Sequence, residues 1–253
     1  MRVLVVDTPQ AAARAAADLI ATTIHRVGPR VVLGVATGST PLGVYADLER
    51  RIDAGEFSLA DATAFALDEY VDLPRMHPES YYATIHRTVT DPLGIPYERV
   101  HVLDGVTPDH EGACAAFEAE IRAAGGVDVQ LLGIGGNGHI AFNEPGSAID
   151  SRSRVIELTE QTRRDNARFF DGDIDQVPTH AVTQGIGTIN DARELVLIAF
   201  GDAKADAVAA LVDGPFSADC PASVLQRHPN ATVVVDAAAA VKLANPDQYR
   251  VGQ

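Results

Sequence analysis

Short apolar, β-branched runs alternate along this chain with alanine-rich stretches in which apolar positions recur every three or four residues. The runs fall at Val3–Val6, Val31–Val35, Thr63–Leu67, Val100–Leu103, Val127–Leu132, Glu194–Phe200 and Thr232–Val235. Their apolar character is continuous rather than alternating, the mark of strands covered on both faces. Helical periodicity fills the intervals at Pro9–Arg26, Pro41–Ala54, Glu79–Val89, Asp109–Ala124, Thr159–Phe169 and Asp202–Val212. This alternation predicts an α/β fold: a mostly parallel open sheet with helices on both faces. No repeat, low-complexity linker or charge block divides residues 1–253, so a single domain is expected.

Composition narrows the partners. The formal net charge is −15, which argues against nucleic acid or an anionic membrane surface. An anionic ligand would need a local concentration of cations. The apolar run Val3–Val6 is too short for the core of a signal peptide, and no stretch approaches the roughly 20 apolar residues of a membrane helix. A cytoplasmic location is expected. Cys114 and Cys220 stand far apart in no metal-like spacing and are expected as two reduced thiols. The tail from Ala244 to Gln253 has no core pattern and is expected to lie loosely.

An open parallel sheet places its ligand beyond the carboxyl ends of its strands, so residues just after the apolar runs carry the functional information. After Val31–Val35 come Thr37, Gly38, Ser39, Thr40 and Pro41. Thr40 is expected to cap a helix opened by Pro41, and free amides there make an anion site. A plain strand-to-helix turn would use the same residues. The Gly-Lys-Ser/Thr ending of a nucleoside-triphosphate loop is absent. After Thr63–Leu67 come Asp68 and Glu69, expected on opposite faces of a strand, one entering a cleft and the other solvated. Asp68 suits a general base; an aspartate capping the next turn is the competing reading.

After Val127–Leu132 the chain becomes glycine-dense, from Gly133 through Gly138 to His139, Asn143, Glu144 and Gly146. The first six residues fit the dinucleotide spacing, but that fingerprint needs a helix at once, and Asn143-Glu144-Pro145-Gly146 is turn sequence. His139 and Glu144 can converge as a proton-transfer pair, although a lone histidine here also suits a structural role. No zinc pattern is present. After Glu194–Phe200 comes Lys204, placed by an Asp202 cap in the first turn of a helix, where a cation opposes the helix dipole unless an anion is shared. Arg163, Arg164 and Arg168 share one helix and are expected mainly in solvent.

Taken in order, these stations resemble glucosamine-6-phosphate deaminases over nearly the whole chain. The matching stretches are Thr37–Pro41, Leu67–Val71, His77–Tyr82, Asn137–Pro145 and Ala167–Phe170. The resemblance implies a Rossmann-like sheet and conversion of glucosamine 6-phosphate and water to fructose 6-phosphate and ammonia, without metal or organic cofactor. It implies that Asp68 moves the C2 proton. His139, supported by Glu144 and Asn137, would open the sugar ring. It puts the phosphate on Thr37, Gly38, Ser39 and Thr40 with Arg168 and Lys204 as cations, and a mobile lid at about 158–181. The chemistry suits the residues: a desolvated carboxylate has a pKa near the working pH, and remote phosphate binding holds C2 against it.

Two departures stand out. Some relatives have Asp where this chain has Asn137; an amide can hold His139 but cannot stabilise an imidazolium by charge. Allosterically activated hexameric members bind N-acetylglucosamine 6-phosphate between subunits. Ser147 and Arg154 match that site, but Ile156 replaces a lysine and the longer C-terminal tail of those members is absent. One missing phosphate-binding cation is worth about 1–3 kcal/mol, so little or no activation is expected. A homo-oligomer remains compatible with the sequence. The rival readings are galactosamine-6-phosphate isomerisation, 6-phosphogluconolactonase activity and a non-catalytic sugar-phosphate sensor. Ala141–Pro145 and Asp68–Tyr70 favour the deaminase over the lactonase, and no basic helix-turn-helix supports a sensor.

Overall fold

The computed structural model describes residues 1–250. Seven parallel strands form the main sheet: β1 (Arg2–Val6), β2 (Val32–Val35), β3 (Thr63–Ala66), β5 (Val100–His101), β6 (Val129–Leu132), β9 (Leu195–Ala199) and β10 (Ala231–Asp236). Their spatial order is β1-β10-β9-β6-β2-β3-β5. All seven predicted strands are present, and every pairing among them is parallel.

Helices cover both faces. On one face α1 (Pro9–Val27), α2 (Leu42–Asp53) and α4 (Asp91–Leu93) enclose a core around Leu33, Val35, Leu131 and Ile198. On the other, α5 (His110–Ala123), α7 (Ile186–Asn190) and α8 (Ala205–Val212) enclose Val32, Phe65, Leu132 and Leu197. The two sets of strand residues alternate in sequence, as side chains on opposite faces must.

Strands run outward from the centre in two directions, β2-β3-β5 one way and β6-β9-β10 the other. The reversal lies between β2 and β6, where the loops beyond the strand tips diverge and open a crevice. A second, three-stranded antiparallel sheet stands above it: β4 (Asp68–Tyr70), β8 (His180–Thr183) and β7 (Arg154–Glu157), in the order β4-β8-β7. Between β7 and β8 run α6 (Glu160–Asn166) and a 3-10 turn at Ala167–Phe169. This segment packs Leu158, Ala167, Phe170 and Val177 against Tyr70 and Phe142. Arg163 ties it together by donating to the carbonyls of Ile174 and Val177, so this arginine is not solvated as expected.

Several local expectations are corrected. The helix after β2 begins at Leu42, with Pro41 as its cap residue and no side-chain cap. The Pro41 carbonyl takes the amides of Val44 and Tyr45, leaving Thr40 outside the helix. The predicted helix Glu79–Val89 is split into α3 (Tyr81–Ile85) and a π-helical turn, His86–Thr90. The tail is not loose as far as Arg250: Tyr249 packs on the core, and Arg250 bridges to Val5; the last three residues lie outside the described range. Cys114 and Cys220 are both free and buried. Among the described residues no helix is long and apolar enough to cross a membrane.

Candidate active site

The crevice at the reversal is a cleft of about 200 Å³. Thr37 to Thr40 reach it from β2, Asp68 from the end of β3, Gly133 to Gly136 and His139 from β6, and Lys204 from β9. Arg168 and Thr162 enter from the segment above. Residues spread over more than half the sequence thus share one wall, because parallel strands deliver all their carboxyl ends to one edge.

Asp68 is 6% exposed and lines the cleft. Burial, with the neighbouring Glu69 charge, pushes its carboxyl up to about 8. Glu69 is not the solvated partner expected. It is 2% exposed, and its carboxylate accepts the amides of Tyr70 (2.7 Å), Tyr81 (2.9 Å) and Tyr82 (2.8 Å). Alternation along the strand did separate the two faces, but α3 covers the second.

Glycine shapes the loop after β6. A Cβ on Gly135 would fall 2.2–2.4 Å from the His139 ring atoms, so the imidazole lies directly against bare backbone. Gly138 has φ +87°, and a Cβ there would meet Cys220 Sγ at 2.8 Å. No helix follows β6, in agreement with the rejection of a dinucleotide site. Ala141 takes a left-handed φ of 50°, an uncommon conformation for a residue with a side chain. It lies in the cleft lining between His139 and Glu144.

His139 reaches the cleft, whereas Asn137 and Glu144 stand behind it, outside the lining. His139 Nδ1 lies 3.6 Å from Glu144 Oε2, just beyond hydrogen-bond length. Asn137 Nδ2 donates to Glu144 Oε2 at 2.7 Å, and Asn137 Oδ1 accepts the backbone amide of His139 at 3.2 Å. The amide therefore serves the main chain of His139 and not its ring. Thr162 donates to Glu144 Oε1. Burial acts to raise the Glu144 carboxyl, but His139, Thr162 and Asn137 outweigh it and hold it at about 2. Asn143 is fully buried and fixes the same loop through the carbonyls of Ile140 and Gln184.

At the other end, Gly38 has φ +90°. The amides of Gly38, Ser39 and Thr40 donate to no protein group among the described residues, so they can serve an anion. Lys204 is half-buried at the start of α8. Burial and the nearby Arg168 charge pull its ammonium below the usual range. Arg168 is exposed, with its guanidinium 4.7 Å from the Phe169 ring centre. Two cations drawn together in a chain of net charge −15 favour a doubly charged anion between them.

The chain matches the model for glucosamine-6-phosphate isomerases/6-phosphogluconolactonase over residues 7–234. It belongs to that family. Within it, the chain is 54% identical over 250 residues to the glucosamine-6-phosphate deaminase of Streptomyces avermitilis, covering 99% of this chain and 95% of that one. Identity to the glucosamine-6-phosphate deaminase of Mycolicibacterium smegmatis is 53% with the same coverage. The solved structure of a monomeric glucosamine-6-phosphate deaminase superposes with a TM-score of 0.92 at 40% identity, over 96% of this chain and all of the other. The 6-phosphogluconolactonase of Trypanosoma brucei shares the fold at a TM-score of 0.78 and 23% identity, covering 96% of this chain and 98% of that one.

Family membership leaves Ser147 and Arg154 to be placed by geometry. The Ser147 amide donates to the Glu144 carbonyl. Arg154 Nη1 donates to Asn143 Oδ1 at 2.9 Å. Arg154 also lines a separate cavity of about 380 Å³ with Cys114, Glu118 and Arg152; Ser147 is outside that lining. Thr162 and Tyr81 are the site residues that the sequence reading passed over. Tyr81 sits inside the matching stretch His77–Tyr82, which was the available signal. Thr162 had none, since only the fold brings it to Glu144.

Proposed function

We propose that this protein converts glucosamine 6-phosphate and water to fructose 6-phosphate and ammonia. One observation carries the reading: a buried, high-pKa carboxylate, a histidine backed by an ionised carboxylate, and a pair of cations all meet in one cleft. The names carried by relatives at 53–54% identity support it. The phosphate sits on the free amides of Gly38 to Thr40 with Lys204 and Arg168. That remote binding energy orients the sugar carbons. His139, held by the Asn137–Glu144 pair, transfers the proton that opens the ring. Asp68, once ionised, takes the C2 proton and returns it at C1, and the resulting C2 imine is hydrolysed to the ketone and ammonia.

Arg168 and Thr162 belong to the segment over the cleft, so substrate binding favours its closure as a lid over residues 158–181. N-acetylglucosamine 6-phosphate gives little or no activation, since Ile156 supplies no charge and Arg154 is engaged with Asn143. The decisive assay incubates purified protein with glucosamine 6-phosphate and follows ammonium and fructose 6-phosphate together. Equal yields of both are expected. Neither product, with turnover of 6-phosphogluconolactone instead, would overturn the assignment.

A further inference from the structure

Glu69 is a buried carboxylate with no part in the reaction steps above. Its three amide donors stabilise the ionised form. Arg75, in the loop after β4, adds a favourable charge. Two of the donors are the first amides of α3, while Ser80 caps that helix separately through Ala83. Glu69 thereby fixes Tyr81, whose ring stacks on Phe142 and lines the cleft together with Asp68.

Among the described residues the adjacent Asp68 has no such donors. Its surroundings are Glu69 in the same strand, the Tyr70 and Tyr81 phenols, and His139 across the cleft, with Asp165 and the cations Arg168 and Lys204 on the same lining. Burial raises the Glu69 carboxyl above its ordinary value as well, but the amides of Tyr81, Tyr82 and Tyr70 and the Arg75 charge offset part of that cost, and no such group offsets it at Asp68. Of the two neighbours, Asp68 therefore keeps the proton.

We propose that Glu69 is a positioning residue that makes the site select a cationic amino sugar phosphate. Its fixed charge keeps Asp68 neutral in the free protein, and a substrate ammonium at C2 relieves the repulsion and releases the Asp68 proton to solvent. The amine and the hydrogen that Asp68 removes share one carbon, so the ammonium must enter beside this pair. A neutral hexose phosphate brings no such charge and leaves the base protonated. The inference rests on the substrate class proposed above.

The test uses two open-chain ligands that cannot react, 2-amino-2-deoxyglucitol 6-phosphate and glucitol 6-phosphate. Calorimetry at pH 7 in buffers of different ionisation enthalpy reads affinity and proton release together. The unsubstituted protein should bind the amine at least about tenfold more tightly and release a proton, because the ammonium pairs with a charge in a partly buried site. Glu69→Gln should bind both ligands within about threefold of one another, without proton release. A merely structural Glu69 would weaken both ligands alike and keep the preference, which would overturn the inference. Equal binding by the unsubstituted protein would also overturn it, and leave the sugar-phosphate reading standing. Binding of neither ligand would overturn both. Carboxyl carbon NMR of the unsubstituted protein provides a check independent of the variant's folding. Glu69 ionised and Asp68 protonated at pH 7 supports the proposal, and the reverse order overturns it.

Discussion

Asp68 and Glu144 are two carboxylates of one site, held on different loops and placed in opposite surroundings. Asp68 ends a buried strand with a like charge beside it, and its carboxyl is pushed up to about 8. Glu144 sits behind the cleft, surrounded by Asn137, Thr162 and His139, and is held at about 2. The residue type is nearly the same, so the separation comes from desolvation without donors in one case and from donors in the other. A pair driven apart in this way fits the division of labour proposed above, in which one group accepts and returns a proton near neutral pH and the other stays charged to support a neighbour.

The largest test of this contrast is Asp68→Asn. It should lower turnover and C2 proton exchange by about 10²–10⁴-fold, the usual contribution of a general base, with phosphate binding retained. In the unsubstituted protein kcat/KM should rise with pH toward about 8. The stability effect has the opposite sign to the activity loss. The folded pKa of Asp68 lies above the free value of about 3.9, so folding disfavours its ionisation. That cost is absent below pH 4 and grows as pH rises from 4 toward 8. Asp68→Asn should therefore leave stability unchanged at pH 4 and raise it by on the order of 5 kcal/mol at pH 8, measured by denaturant unfolding. A variant destabilised at pH 8 would contradict this environment.

Glu144→Gln addresses the other half. Turnover should fall about 10²-fold through slower ring opening, while the acid limb set by Asp68 stays in place. A moved limb would mean that the two carboxylates titrate as one unit. Here folding favours the ionised form, because the folded pKa lies below the free value of about 4.3. The stabilisation is complete above about pH 4.5 and is lost as pH falls toward 2. The variant should lose about 1 kcal/mol at pH 7, given solvent screening at a half-buried site, and nothing at pH 2.

The smallest effect concerns neither carboxylate. Lys204→Ala should raise KM by about 10–100-fold with a modest change in kcat, as expected for one lost charged hydrogen bond to phosphate. An unchanged KM measured by steady-state kinetics would assign Lys204 to solvent and leave the anion to Arg168 and the loop amides.

The two sheets show what a sequence discloses. The main sheet was legible because each of its strands is a local apolar run, and the motifs carrying Asp68, His139 and Lys204 follow those runs directly. The small sheet was not. Its strands are short, and β7 alternates half-buried with exposed residues; pairing gives them their identity, as when Asp68 meets Thr183 across the chain. The fate of Glu69 escaped for the same reason, since its partners Tyr81 and Tyr82 lie a turn and a helix start away. Thr40 misled in the other direction: the helix begins one residue later than its cap signal implies, with Pro41 as the cap residue, and Thr40 lines the cleft instead.

The sheet order also bears on how the chain reaches this structure. β1 is made first, yet its partner is β10, with Val3 opposite Val233. The first strand must wait unpaired until nearly the whole chain has been synthesised, and such distant closures slow folding and expose strand edges meanwhile. Arg250 already bridges to Val5, which brings the described end of the chain beside its beginning. Joining the ends and opening the chain at the turn around Gly28 would make β10, β1 and α1 consecutive. That rearrangement should speed refolding without touching the catalytic cleft.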